Sequence, residues 1–197
     1  MKKILMVVDY QNDFVDPKGA LPIPNAHNIF NNIQNKINDR TYENIIYTFD
    51  THTPIEYNGS DEQKLFPDIH CEFGTKGWQL YNIKPRNFEL FDQYLNQLKN
   101  PFMYKEINDE WFFTKNVFDI WQGNTKYPNW IIEKFPNQDF EIDVVGVAFE
   151  FCVLQNIQGL IERNYKVNLI KDCVASITKD GEIETYNKMI ELNVNFI

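Results

Sequence analysis

The sequence predicts an α/β fold of three layers, α/β/α, with a mostly parallel sheet in the middle. Short apolar runs rich in β-branched residues alternate along the chain with longer stretches that have helical spacing. This alternation is typical of parallel strands joined by crossover helices. The chain has 197 residues, the size of one large domain, and neither a repeat nor a linker-like stretch divides it. We therefore expect a single domain over residues 1–197.

Five apolar runs are the predicted strands. The first, residues 4–8, has no polar alternation and therefore fits a strand that is buried on both faces. The other predicted strands are residues 44–49, 111–114, 143–147 and 167–170.

Helices are predicted where apolar residues recur at helical spacing, as they do at Ala26, Ile29, Ile33 and Ile37. The predicted helices are residues 25–40, 88–98, 153–163 and 182–192. Residues 51–85 contain prolines and glycines with no sustained period, which predicts a long loop. Long loops inside compact domains are usually functional.

Composition and charge limit the classes of function. The formal charge is −9 and the 19 basic residues are scattered, so we expect no nucleic-acid partner. No apolar run approaches the length of a membrane span, so we expect no membrane partner. The three cysteines follow no pairing pattern and fit a reducing compartment, so we expect a cytoplasmic protein without disulfides.

Reactive side chains follow four of the predicted strands. Asp9, Asp50 and Lys115 each come directly after a strand, and Cys152 follows the turn after the fourth. In open α/β sheets, ligands bind outside the carboxyl ends of the strands. We therefore expect these four residues to meet at one end of the sheet.

The thiol, carboxylate and ammonium of this set suit acyl transfer. A carboxylate can take the proton of a thiol and later deliver it to a leaving amine, while a lysine keeps the carboxylate ionised. Cys152 comes where a helix begins, and we expect the helix dipole to lower the pKa of its thiol. Cys173 has no comparable setting and is predicted to be a packing residue, and Cys71 is either structural or a bystander.

Histidines and carboxylates near the long loop predict a metal site. Asp50 and His52 lie on the same side of an extended segment, and Glu62 and His70 can fold back onto them from the loop. Two histidines with one or two carboxylates suit zinc, iron or manganese, with open positions for water or substrate. The remaining histidine, His27, is expected on the surface of the first helix.

Five segments of the sequence form an ordered set of motifs: residues 8–14 (VDYQNDF), 49–54 (FDTHTP), 64–75 (KLFPDIHCEFGT), 115–121 (KNVFDIW) and 146–153 (GVAFEFCV). In this order they resemble the isochorismatase-like cysteine hydrolases, and within them most of all the nicotinamidases. The resemblance spans nearly the whole chain and implies the isochorismatase-like form of the three-layer fold.

The resemblance implies a role for each matching residue. Asp9 matches the general base, Cys152 the nucleophile and Lys115 the lysine of the family's triad. The bond between Val147 and Ala148 matches a non-proline cis peptide of the family. The backbone N–H groups of Ala148 and Cys152 would then form the oxyanion hole.

Lys105 is a rival for the triad lysine. The family pattern has aromatic residues three and six positions after the lysine. Lys115 is followed by both, as Phe118 and Trp121, whereas Lys105 is followed only by the second, Trp111. We therefore prefer Lys115.

The resemblance also implies a divalent metal, zinc first and Fe2+ or Mn2+ as alternatives. Asp50, His52 and His70 match family ligands directly. Glu62 resembles a variable ligand, for which Glu56 and Asp61 are alternatives.

The implied activity is the hydrolysis of nicotinamide to nicotinate and ammonia through a cysteine thioester, a step of NAD salvage, by a homo-oligomer. The metal would anchor the pyridine nitrogen, with Phe14 and Phe66 packed on the ring. The bulky Phe149 and Phe151 beside the nucleophile depart from the family pattern and leave the substrate open.

Two other functions compete with this one. A metal-free hydrolase of the same superfamily would act on another amide or on an isochorismate-type vinyl ether. A non-catalytic relative would use the pocket only to bind a ligand or partner, but the presence of all three triad residues argues against it.

Overall fold

A mostly parallel sheet of seven strands forms the middle of the computed structural model, which describes residues 1–137 and 139–197. Five strands are the predicted ones with adjusted ends: β1 (Lys2–Val8), β2 (Tyr42–Asp50), β4 (Glu110–Lys115), β5 (Phe140–Gly146) and β6 (Lys166–Val174). Two were not predicted: β3 (Tyr104–Ile107) and β7 (Asn195–Phe196). The order is β3-β4-β2-β1-β5-β6-β7, in which β3 pairs antiparallel with β4 and the other described pairings are parallel. The predicted fold class is confirmed.

Helices connect the strands and cover the sheet. They are α1 (Asn12–Val15), α2 (Phe30–Asn38), α3 (Pro54–Tyr57), α4 (Asp61–Leu65), α5 (Phe88–Leu95), α6 (Ile120–Gly123), α7 (Tyr127–Lys134), α8 (Leu154–Glu162) and α9 (Lys179–Glu191). A 3₁₀ turn at Ala26–Ile29 precedes α2, and a π-helical turn at Phe149–Val153 precedes α8. None of the helices in the described residues is both long enough and apolar enough to cross a membrane.

The side chains of β1 alternate between two hydrophobic cores. Leu5 and Val7 pack in one core, together with residues of α2 and α5. Ile4, Met6 and Val8 pack in the other, together with residues of α7, α8 and α9. Because successive side chains of a strand point to opposite faces, a strand with a helix layer on each side must be apolar throughout.

The predicted long loop after β2 contains two short helices. Thr53 caps α3, where its hydroxyl accepts from the N–H of Glu56, and Ser60 caps α4, where its hydroxyl accepts from the N–H of Gln63. The prediction of continuous loop is wrong over these two turns, because helices of four or five residues are too short to show a hydrophobic period.

The centre of the sheet provides the place for a site. β1 pairs with β2 on one side and with β5 on the other, so the strand order changes direction beside β1. In such sheets, a crevice opens at the carboxyl ends of the central strands. The residues that end β2 and β4 and those that follow β1 and β5 meet at this crevice.

Candidate active site and metal centre

Asp9 follows β1 and is completely buried. The Thr48 hydroxyl donates to its Oδ1 at 2.6 Å, and the ammonium of Lys115 lies 2.8 Å from its Oδ2. Burial raises the pKa of Asp9 and outweighs the opposing effect of the Lys115 charge. A carboxyl group with a raised pKa is suited to both taking and returning a proton near neutral pH.

Lys115 is the last residue of β4, and its ammonium contacts three other side chains. Its Nζ lies 2.8 Å from Asp9 Oδ2, 3.1 Å from Asp50 Oδ1 and 3.4 Å from Cys152 Sγ. Burial favours the neutral amine, but the carboxylates of Asp50 and Asp9 outweigh it and raise the pKa of Lys115 well above its usual range. Its rival Lys105 lies on the edge strand β3, with its Nζ over the ring of Tyr94.

Cys152 lies in the π-helical turn before α8, and its side chain faces Lys115. Burial raises the pKa of this thiol well above its usual range, although the charge of Lys115 opposes the shift. The expected lowering of this pKa is therefore wrong. The start of a helix does not replace the hydration that the thiol loses on burial.

The turn that carries Cys152 is fixed by its backbone. Gly146 has a φ of 118°, and a Cβ there would lie 2.1 Å from the carbonyl oxygen of Val8, so glycine is needed where β5 passes β1. The bond between Val147 and Ala148 is cis, as expected. N–H groups of the turn donate to backbone carbonyl oxygens: Val147 to Val8 O (3.0 Å), Phe149 to Ala175 O (2.9 Å), and Phe151 and Val153 to Ala148 O (3.2 and 3.1 Å).

Four buried side chains form a candidate metal centre beside the thiol. Asp50, His52, Glu62 and His70 each offer a ligand atom, and these atoms lie within 4.8 Å of one another. Nε2 of His52 lies 3.1 Å from Asp50 Oδ2, and Nε2 of His70 lies 3.2 Å from Glu62 Oε1. The structure thus brings together all four predicted ligands.

The two alternatives to Glu62 lie outside this group of four. The side chain of Asp61 is 97% exposed and pairs with Lys64. Glu56 reaches only the other ring nitrogen of His52, at 3.5 Å from Nδ1, and remains partly exposed.

The donor set fits a divalent cation. The two imidazoles lie among carboxylates, and although burial opposes their charge, Asp50 and Glu62 raise the pKa of His52 to about 10 and that of His70 to about 9. Oε2 of Glu62 is buried without a hydrogen-bond partner among the described residues. Two imidazoles and two carboxylates, one with a free oxygen, suit zinc, and also iron or manganese.

A small cavity of about 10 Å³ joins the thiol to the metal centre. Its lining includes Cys152, Ala148, Glu62 and His70, and also both predicted ring contacts, Phe14 and Phe66. The ring of Phe14 lies 5.3 Å from that of His70. The remaining lining residues are Leu21, Ile23, Phe118, Ile177 and Phe151, of which Phe151 was expected to influence the pocket.

Two polar residues near the site were missed by sequence reasoning. Thr48 holds Asp9, and Gln11 pairs with the main chain of Asp50, accepting from its N–H and donating to its carbonyl oxygen at 2.8 Å each. Thr48 precedes Asp50 by two positions on β2 and therefore shares its face. That spacing was the signal that could have identified Thr48.

Comparison with known proteins gives the family. The model of the Isochorismatase domain matches residues 85–196, more than half of the chain. The chain belongs to the isochorismatase family. The predicted family is thereby confirmed.

Relatives of this isochorismatase-family protein are named nicotinamidase or pyrazinamidase. The nicotinamidase of Saccharomyces cerevisiae is 27% identical over 211 residues, covering 92% of this chain and 91% of that protein. The crystal structure of the pyrazinamidase of Pyrococcus horikoshii in complex with zinc has a TM-score of 0.76 at 20% identity, covering 100% of this chain and 99% of that one. PnC1 from L. infantum in complex with nicotinate has a TM-score of 0.75 at 15% identity, covering 100% and 92%. The chain is a nicotinamidase-like amidohydrolase, as predicted.

Proposed function

We propose that this protein is a metal-dependent nicotinamidase that hydrolyses nicotinamide to nicotinate and ammonia through a cysteine thioester. The observation that carries the proposal is the shared cavity, which the Cys152 thiol and the metal-centre residues Glu62 and His70 all line. At about 10 Å³ this space holds little more than one water. The side chains that line it must therefore move apart for a flat ring to bind with its amide at the thiol and its nitrogen toward a metal. The nicotinamidase and pyrazinamidase names of the relatives support this substrate class.

The first step forms the carbon–sulfur bond. Asp9 takes the proton of Cys152, and the thiolate attacks the carboxamide carbon. The ammonium of Lys115, close to both groups, stabilises the thiolate as the proton leaves it. The electron pair of the carbonyl moves to its oxygen, and the backbone N–H groups of Ala148 and Cys152 receive this oxyanion.

The second step breaks the carbon–nitrogen bond. Asp9 returns its proton to the amine, and ammonia leaves as the carbonyl reforms, so that a thioester remains on Cys152. Asp9 then takes a proton from water, and the resulting hydroxide attacks the thioester. The acid is released and the proton returns to the thiolate, which restores the resting state.

The metal centre orients the substrate. Asp50, His52, Glu62 and His70 would hold zinc, or alternatively Fe2+ or Mn2+, and when bound this ion supplies a Lewis acid for the ring nitrogen. Phe14 and Phe66 confine the ring between them and so hold the amide at the thiol.

The test is ammonia release from nicotinamide by the purified, metal-loaded protein. We expect release by the wild type, its loss in Cys152→Ala and its decrease after chelation with recovery on metal addition. Cys173→Ala is the matched control, because Cys173 is also buried but its thiol contacts Asp172 outside the cavity. A folded, metal-loaded protein that releases no ammonia from nicotinamide would overturn the assignment and favour another amide or a vinyl ether.

A further inference from the structure

The catalytic cavity lies next to a much larger open groove. The cavity has a volume of about 10 Å³, and the groove one of about 730 Å³. Phe66, Phe151 and Ile177 line both. Phe66, Phe151 and Ile177 therefore form the wall between the two spaces.

Phe151 is the ring of this wall that neighbours the nucleophile in sequence. Its centroid lies 5.5 Å from that of Phe66 and 5.2 Å from that of Phe118. Phe118 lines the cavity but not the groove, so Phe151 is in contact with a space that Phe118 does not border. The two phenylalanines form a matched pair for experiment.

The backbone that carries Phe151 is held in place. Its N–H donates to the carbonyl oxygen of Ala148 at 3.2 Å. The neighbouring carboxylate of Glu150 accepts from the N–H groups of Ile177 and Thr178 at 2.9 and 3.0 Å. Because these bonds fix the main chain on both sides of the wall, the part of the wall that Phe151 forms, beside Phe66 and Ile177, depends on its ring.

The chemistry of the groove differs from that of the cavity. Leu65, Leu154 and Ile177 give it apolar sides. Its charged lining consists of three carboxylates and one ammonium: Glu150, Asp180, Glu184 and Lys188. The groove would therefore bind most favourably a substituent that enters from the cavity with an apolar stem and a positively charged end.

We propose that Phe151 determines substrate specificity by closing the catalytic cavity against this groove. With the ring in place, the enzyme accepts primary carboxamides of small rings. Without it, the groove receives substituents with an apolar stem and a cationic end. The inference rests on the proposed function, in that the cavity is taken as the amide site.

The test measures access to Cys152 without requiring catalysis. The probes are two methanethiosulfonates of similar size, one with a trimethylammonioethyl group and one with a sulfonatoethyl group, and mass spectrometry follows the modification of Cys152. We expect slow modification of the wild type by both probes. In Phe151→Ala, modification should be roughly tenfold faster, because the rate of such exchange depends on access to the thiol. The cationic probe should react faster than the anionic one.

Two variants serve as controls. Phe118→Ala removes a ring of the same size that does not border the groove, and it should show a smaller difference between the two probes than Phe151→Ala. Leu154 lines the groove but not the cavity, so Leu154→Ala should leave Cys152 as slow to react as in the wild type. Phe151→Leu, which keeps an apolar side chain, should give an intermediate rate and replaces the alanine variant if that variant does not fold.

The outcomes separate this inference from the proposed function. The inference about Phe151 is overturned if Phe151→Ala reacts no faster than the wild type, or if it prefers the cationic probe no more than Phe118→Ala does. This holds even when nicotinamide is hydrolysed. If Cys152 becomes accessible as expected but no variant hydrolyses nicotinamide, the proposed function fails and the inference about Phe151 is retained. A gain of activity toward amides with a cationic tail in Phe151→Ala would support both.

Discussion

Asp9 lies between two hydrogen-bond donors that oppose the effect of burial on its pKa. Its Oδ1 accepts from the Thr48 hydroxyl at 2.6 Å, and its Oδ2 faces the Lys115 ammonium at 2.8 Å. Both contacts favour the carboxylate, whereas burial favours the neutral acid and raises the pKa. The proposed base is therefore tuned by opposing effects, of which the Thr48 hydrogen bond can be removed with little change in shape.

Thr48→Val should move the acid limb of the activity profile to higher pH. The proposed mechanism needs Asp9 as a carboxylate, so we expect activity to fall as the pH decreases through its pKa. Without the hydroxyl this pKa rises further, and the fall should begin about one pH unit higher, because a hydrogen bond to a charged group contributes about 1.5 to 3 kcal/mol. The measurement is kcat/KM against pH for the wild type and the variant.

Thr48→Ser is the control, because it keeps the hydroxyl. Its acid limb should coincide with that of the wild type even if its rate is lower. A valine variant that loses rate at every pH without moving the acid limb would show that Thr48 has only a packing role.

Helix α8 packs against α6 at a position where there is no room for a side chain. A Cβ on Gly159 would lie 1.8 Å from Nε1 of Trp121. The indole has neighbours on other sides, with the guanidinium of Arg163 3.9 Å from its ring centroid and the ring of Tyr127 at 4.9 Å. Trp121 therefore has little freedom to move aside.

Gly159→Ala should destabilise the protein although alanine favours helix. The gain in helix propensity is about 1 kcal/mol, whereas overpacking against a confined indole costs about 1 to 3 kcal/mol, so the net change should be unfavourable. Urea unfolding measures it, with Gln158→Ala on the same helix as the control, for which we expect a change within about 0.5 kcal/mol. An alanine variant at position 159 that is more stable than the wild type would mean that Trp121 repacks freely.

The sequence predicted the central strands better than the edges of the sheet. Strands β1, β2 and β5 are mostly buried, and each contains adjacent apolar residues that stand out in the sequence. The edge strand β3 contains two charged residues and is mostly half-exposed, and it pairs with β4 across a turn in which Asn108 has a φ of 56°. Nothing in the apolar pattern distinguishes such a strand from a loop.

The candidate site was predictable to the extent that topology determines it. Asp9, Asp50 and Lys115 could be placed together because parallel strands end at the same side of a sheet. The direction of the Cys152 pKa could not be predicted, because it depends on burial by side chains that are distant in sequence. Phe151 likewise acquires its neighbours, Phe66 and Phe118, only through the tertiary fold.

At the scale of the whole molecule, the metal centre connects the sheet to the long segment that covers it. Asp50 and His52 belong to the end of β2, whereas Glu62 lies on α4 and His70 lies further along the same segment. This segment also carries Phe66, which lines the cavity. A bound ion would therefore stabilise the wall of the catalytic cavity as well as its ligands.

Removal of the metal should lower the thermal stability and loosen residues 53–73 before the rest of the chain. An ion that binds the folded state at one hundred times its Kd adds about 2.7 kcal/mol to the free energy of unfolding, which chelation removes. Hydrogen exchange should be faster in residues 53–73 after chelation, with no change in β5, and added Zn2+ should reverse this effect.

His70→Ala should abolish the response to Zn2+. His27→Ala, which changes an exposed histidine outside the cluster, should keep it. Equal responses in the two variants would place the ion elsewhere, and a uniform rise in exchange would show that the ion stabilises the whole fold rather than the segment over the cavity.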